Sequence, residues 1–192
     1  MTEKYKNSYR SKSLRLQNWD YSSSGAYFVT LCTKNREKLF GEIVDNRIHL
    51  SHIGMIADIL WYEIKNHSRN FQLGEFMVMP NHIHGILIID HADADMVETR
   101  HALSLRDQQQ SRLATNRFQN QGKNTISSII GGYKSAVTKH ARRLGFDFGW
   151  QRNYWEHIIR NEQSYQHISE YIQNNPAKWA IDKLNPESGC TL

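Results

Sequence analysis

Apolar positions alternate between strand-like runs and helix-spaced repeats along most of the chain. Gly25-Ala-Tyr-Phe-Val-Thr-Leu-Cys-Thr33 is rich in β-branched and aromatic residues and follows a Ser-Ser-Ser turn, which predicts a strand. Phe40 to Val44 and Arg47 to Leu50 flank Asp45-Asn46, a pair suited to a tight hairpin. Ser51 is placed to cap a helix reaching about Asn66, because Ile53, Ile56, Ile59, Leu60 and Ile64 recur at helical spacing. Two strands should follow, Phe71 to Met79 and His82 to Asp90, with Pro80-Asn81 turning between them. Thr125 to Leu144 reads as a helix despite Gly131-Gly132. Trp150 to Ile159 is aromatic and partly extended. Asn161 caps a last helix that stops near Asn175, since the residue before Pro176 is disfavoured in the helical region.

With the small hairpin set aside, the order is strand, helix, two strands, helix, strand and one extra helix. This predicts an α+β, ferredoxin-like domain: an antiparallel sheet with helices on one face, plus a C-terminal helix. The whole chain, residues 1–192, reads as a single domain. Residues 91–124 are polar, carry a Gln-Gln-Gln run, and are expected to form a flexible insertion.

Composition narrows the class. Hydrophobic residues make up 39% and charged residues 22%, enough to build a core and against wholesale disorder. No apolar run approaches the roughly 20 residues of a membrane span, and the polar start Met1-Thr2-Glu3-Lys4 lacks a signal-peptide core. Cys32 and Cys190 are too few for a disulfide framework or a cysteine zinc site. The expectation is a cytoplasmic, nucleoid-associated protein. The net charge of +5 is uneven. Lys123, Lys134, Lys139, Arg142, Arg143, Arg152 and Arg160 stand against only Asp147 and Glu156 in one stretch, and the first residues add Arg10 and Lys12. Such clusters beside aromatics suit a polyanion, whose condensed counterions are released on binding; a solvated basic surface is the other reading.

Candidate chemistry begins at Pro80-Asn81-His82-Ile83-His84-Gly85. In a strand His82 and His84 share one face, so the pair can hold a divalent cation or can simply be hydrogen-bonded locally. Gly85 would open room beside them for a ligand or a backbone. On the last helix Tyr165, Ile168 and Ile172 form an apolar stripe. Tyr171 and Asn175 are neighbours one turn apart at its edge. A phenol there can serve as a nucleophile on a metal-polarised phosphate, with the amide oxygen completing the ligand set. Packed ring and helix terminus is the plainer alternative. Glu156 and His157 are further candidates to touch this site, and Gly131-Gly132 would let their helix approach the sheet or a DNA backbone closely.

Taken together these segments resemble a known family. Met79-Pro80-Asn81-His82-Ile83-His84 resembles the His-hydrophobic-His motif of the HUH endonucleases. Tyr171-Ile-Gln-Asn-Asn175-Pro176 is similar to the tyrosine helix of their single-tyrosine transposases. Trp150-Gln-Arg-Asn-Tyr-Trp-Glu-His-Ile-Ile-Arg160 and Tyr27-Phe-Val-Thr-Leu-Cys-Thr-Lys-Asn-Arg-Glu-Lys-Leu-Phe-Gly41 resemble the REP-associated tyrosine transposases, over about residues 20 to 180.

The resemblance implies a nuclease and strand transferase for single-stranded DNA, often acting beside a hairpin. It implies His82, His84 and Asn175 as ligands of Mg²⁺ or Mn²⁺, and Tyr171 as the nucleophile forming a 5′-phosphotyrosine intermediate. Some relatives are homodimers, with the tyrosine supplied in cis or in trans. Arg10, Lys12, Lys123, Lys134, Lys139, Arg142, Arg143 and Arg152 are assigned to DNA binding on charge. A catalytically silent hairpin-binding protein and a metal-dependent hydrolase using water are the competing functions.

Overall fold

The computed structural model describes residues 4–5, 8–9, 23–67, 70–90 and 125–188. The expected insertion at 91–124, together with Arg10, Lys12 and Lys123, lies outside the described residues. Two short strands, β1 (Lys4–Tyr5) and β2 (Ser8–Tyr9), pair with each other. The main elements follow as β3 (Gly25–Cys32), the hairpin β4 (Gly41–Val44) and β5 (Arg47–Leu50), then helices α1 (His52–Tyr62) and α2 (Ile64–His67). Next come β6 (Phe71–Val78), β7 (His82–Ile89), α3 (Ile126–Arg143), β8 (Trp155–Ile159) and α4 (Glu162–Gln173).

Local chemistry accounts for the boundaries. Asp45 and Asn46 both take left-handed backbone, φ 50° and 61°, matching the twist of the strands they join. The Ser51 side chain accepts from the Gly54 amide, and Thr125 forms a reciprocal capping box with Ser128. The Asn161 side chain accepts from the Ser164 amide. α4 ends at Gln173 with Asn174 as its cap, but not through the restriction expected before proline: Asn175 keeps helical backbone, φ −60° and ψ −42°, and Pro176 opens a 3-10 turn.

β6, β7, β3 and β8 form one sheet in that order, every neighbouring pair antiparallel. This is the ferredoxin-like arrangement expected from the order of elements. One face packs against α1 and α3: Tyr27, Val29, Leu31, Ile83 and Leu87 join Ala57 and Trp61 of α1 and Ile130 and Val137 of α3 in the larger core.

The last helix takes the opposite face. Phe28, Ile86 and Ile159 project there and meet Ile172 of α4, with Tyr165 and Ile168 packed alongside. Complete burial of Ile172 contributes roughly 1.5–3 kcal/mol to this docking. The tyrosine helix is thereby pressed onto the side of β7 that carries His82 and His84.

Gly85 departs from expectation. A Cβ there would lie 2.3 Å from the Trp61 ring, on the side facing α1. The missing side chain admits the Trp61 indole, not a ligand beside the histidines. Gly131 and Gly132 have nothing within 4 Å of where a Cβ would sit, so they bring their helix no closer to the sheet.

Candidate functional site

His82 and His84 are buried on the α4 side of the sheet, paired in register with Cys32 and Thr30 of β3. Asn81 fixes the first ring. Its Nδ2 donates to the Arg36 carbonyl at 3.1 Å and the Leu184 carbonyl at 2.7 Å, so Oδ1 is left as the acceptor. His82 Nδ1, 2.8 Å from that oxygen, must donate, and Nε2 therefore carries a lone pair. His84 Nδ1 lies 2.9 Å from Thr30 Oγ1; where it donates to that hydroxyl, its Nε2 is likewise a bare acceptor.

The two Nε2 atoms face each other at 3.1 Å. Two lone pairs at that distance repel unless a proton or a cation stands between them. Burial holds both rings neutral: His82 lies well below the usual imidazole range, through desolvation and the neighbouring His84, and desolvation brings His84 down to about 3. Neutral imidazoles with Nδ1 engaged by a hydrogen bond are the form that ligates metals.

Oxygen donors complete the set. A carboxylate oxygen of Asp182 lies with the two imidazoles in a cluster whose ligand atoms are all within 4.8 Å of one another. Asn175 is 1% exposed and its Oδ1 has no hydrogen-bond partner among the described residues, an orphaned acceptor that a cation would satisfy. Two imidazole nitrogens with a carboxylate and an amide oxygen suit a divalent cation. The donor set fits a divalent metal.

Tyr171 closes the site from α4. Its hydroxyl is 3.3 Å from His84 Nε2, and both residues belong to the same chain. Desolvation and the Asp182 carboxylate raise its pKa above that of free tyrosine, while an Asn175 hydrogen bond acts in the opposite direction. Without a nearby cation the phenol stays protonated near neutral pH. Phe28 lies under the group, its ring meeting His84 at 5.2 Å, Trp155 at 5.5 Å and Tyr171 at 6.1 Å between centroids.

His82, His84, Tyr171 and Asn175 are thus brought together. Asp182 was not singled out in the sequence; it follows a short 3-10 turn, Pro176–Ile181, with no periodic pattern. Trp179 of that turn packs against His82 at 6.0 Å, and the Leu184 carbonyl is held by Asn81, which carries Asp182 inward.

Of the two further candidates, Glu156 pairs with Val29 and shares the α1 and α3 face, away from the site. His157 pairs with Phe28 on the site's face.

Among the described residues, the basic side chains expected to bind DNA are spread over more than one face. Lys139, Arg142 and Arg143 are exposed on α3, across the sheet from Tyr171, and Arg142 donates to the Phe148 carbonyl. Lys134 is half-buried, donating to the Gln151 carbonyl at 2.6 Å and lying over the Trp150 ring. Arg152 is exposed just before β8.

No family model matches the chain. An uncharacterized protein of Haemophilus influenzae is 40% identical over 187 residues, covering 96% of this chain and 98% of its relative. The REP-associated tyrosine transposase of Escherichia coli is 25% identical over 158 residues, covering 82% of this chain and 70% of that protein. A solved structure of a REP-associated tyrosine transposase bound to a REP hairpin shares the fold, with TM-score 0.55 and 21% identity over 91% of this chain and 77% of that one.

Proposed function

We propose that this chain, which forms one family with the Haemophilus influenzae protein and resembles the REP-associated tyrosine transposases in sequence and fold, is a metal-dependent single-strand DNA nuclease and strand transferase. The observation that carries this reading is the Tyr171 hydroxyl 3.3 Å from an imidazole whose Nε2 already faces that of His82. A nucleophile and a cation-binding pair meet at one point.

His82, His84, Asp182 and Asn175 would hold the cation. Bound there, a divalent ion supplies Lewis-acid polarisation of a phosphate oxygen and stabilises the phenolate. Tyr171 lies at the mouth of the site, 39% exposed, where a phosphodiester can reach it. Its oxygen attacks phosphorus: the new O–P bond replaces the P–O3′ bond, the phenolic proton passes to solvent, and the departing oxygen is protonated to a 3′-hydroxyl. The 5′-phosphotyrosine link conserves the phosphodiester, so a second 3′-hydroxyl can reverse the exchange without external energy.

The likeness to a relative solved on a REP hairpin supports hairpin-flanked single strands as the substrate. A 3′-end-labelled hairpin oligonucleotide with unpaired tails, incubated with Mn²⁺, should yield a labelled protein adduct that survives a denaturing gel. Tyr171→Phe should abolish the adduct and leave hairpin binding nearly intact. Metal-dependent cleavage persisting in that variant would assign the protein to the hydrolases that use water.

A further inference from the structure

Among the exposed large hydrophobic side chains, Trp155 stands apart by position. It is 47% exposed on β8, an edge strand of the main sheet, and its backbone pairs with Thr30, which pairs in turn with His84. Trp155, Thr30 and His84 therefore form one row across three strands, placing the Trp155 backbone about 10 Å from that of His84 by ordinary strand spacing. The Phe28 ring contacts both Trp155 and Tyr171 edge-on, so the indole and the phenol flank a single buried ring.

Two residues further along β8, the His157 imidazole lies parallel to the indole, with 3° between planes and centroids 5.9 Å apart. Exposed Arg152 precedes this strand and exposed Arg160 follows it. An indole and an imidazole held parallel at the surface, on a strand flanked in sequence by two exposed arginines and continuous with a candidate phosphate-handling site, match what an unstacked nucleotide offers. Its base has a π face, and its backbone carries one negative charge per residue.

We propose that Trp155, extended by His157, is the stacking platform for the unpaired base beside the phosphate presented to Tyr171, with Arg152 and Arg160 contacting the backbone on either side. This rests on the proposed single-strand DNA reading and names the element that would select unpaired over paired DNA there. A base in a duplex is already stacked on its neighbours and cannot lay its face on the indole. The preference is for any unpaired base, since stacking tolerates sequence.

Binding measured without metal, in a Tyr171→Phe background, separates this proposal from the chemistry. The probes are a hairpin with a single-stranded tail, the same hairpin with abasic sites scanned along the tail, and the same hairpin with its tail made duplex. Trp155→Ala should weaken tailed-hairpin binding by roughly 5- to 100-fold, with Trp155→Phe restoring most of it. One abasic position should weaken the Trp155 protein comparably and add little in Trp155→Ala. A duplex tail should show no dependence on residue 155.

Unchanged affinity in Trp155→Ala, or a loss that persists equally with every abasic and duplex tail, would overturn the proposal. As a measurement that needs no truncation, tail binding should quench the intrinsic fluorescence of the Tyr171→Phe protein. It should quench the Trp155→Phe double variant distinctly less, and equal quenching would count against stacking. Failure of the metal-dependent adduct with this coupling intact would remove the catalytic reading alone.

Discussion

Asn81 donates at 2.7 Å to the carbonyl of Leu184, 103 positions away in the chain, and thereby ties the strand bearing two imidazoles to the segment bearing Asp182. The same amide donates to the Arg36 carbonyl and accepts from His82, so one side chain sets the imidazole tautomer and closes the ligand set. Asn81→Leu removes all three bonds and leaves buried polar groups without partners. Stability should fall by about 2–4 kcal/mol in urea unfolding. Mn²⁺ affinity by calorimetry should fall roughly 10- to 100-fold, as for other residues that orient a metal ligand. Unchanged metal affinity in a folded Asn81→Leu protein would show that the tether does not shape the site.

Stability should depend on pH through the two buried histidines. Desolvation lowers both below the free value of 6.5, His84 to about 3, so beneath pH 6.5 the unfolded chain binds more protons than the folded one. Their contribution is fully present above pH 6.5 and is lost as pH falls toward 3. Each ring contributes a slope approaching ~1.4 kcal/mol per pH unit within that window. Urea midpoints in EDTA at pH 7, 6, 5 and 4.5 should fall progressively, and a His82→Gln, His84→Gln double variant should flatten the curve. A wild-type midpoint constant across that range would contradict the neutral buried pair.

Asn175 and Asp182 should separate by their behaviour without metal. Asn175→Ala deletes an acceptor that has no partner among the described residues together with one hydrogen bond to Tyr171, so metal-free stability should fall by only about 1 kcal/mol beyond the packing of a short side chain. Mn²⁺ affinity should nevertheless drop by roughly 10-fold or more if that oxygen is a ligand. Asp182→Asn should weaken Mn²⁺ too. It should also lower the ionisation range of Tyr171, because the carboxylate is one of the groups holding the phenol up. Ultraviolet titration, with Tyr171→Phe as the subtraction, reads that shift. A Tyr171 titration unmoved by Asp182→Asn would place the carboxylate's influence elsewhere.

Much of this arrangement was legible because each signal was local. The period-2 run after Pro80 puts His82 and His84 on one face, the Asp45-Asn46 pair marks its hairpin, and Thr125 and Asn161 mark the starts of their helices. What stayed hidden depends on contacts far apart in sequence. The apolar stripe of α4 says that the helix is docked but not on which side of the sheet; that is settled by Phe28, Ile86 and Ile159 projecting away from α1 and α3. Asp182 lies in a short turn whose position is set by Asn81 and Trp179. Gly85 beside the histidines looked like space for a ligand, and only the fold shows the Trp61 indole filling it.

The contrast between two kinds of glycine gives a final expectation. At Gly85 a methyl group would come within 2.3 and 2.6 Å of two Trp61 ring carbons. That ring cannot step aside: it is fully buried, stacked on Phe76 at 4.5 Å and met edge-on by Tyr133 at 5.3 Å. Gly85→Ala should therefore cost about 1–3 kcal/mol by overpacking. Because β7 must shift to relieve the clash, it should also weaken Mn²⁺ binding through the adjacent His84. Gly131 and Gly132 are exposed inside α3 with open space at both Cβ positions, so alanine at either should stabilise by about 0.4–1 kcal/mol through lost freedom in the unfolded chain. Thermal unfolding of the three single variants would test the distinction. A tolerated Gly85→Ala, or a destabilising Gly131→Ala, would mean that these two surroundings have been assigned the wrong way round.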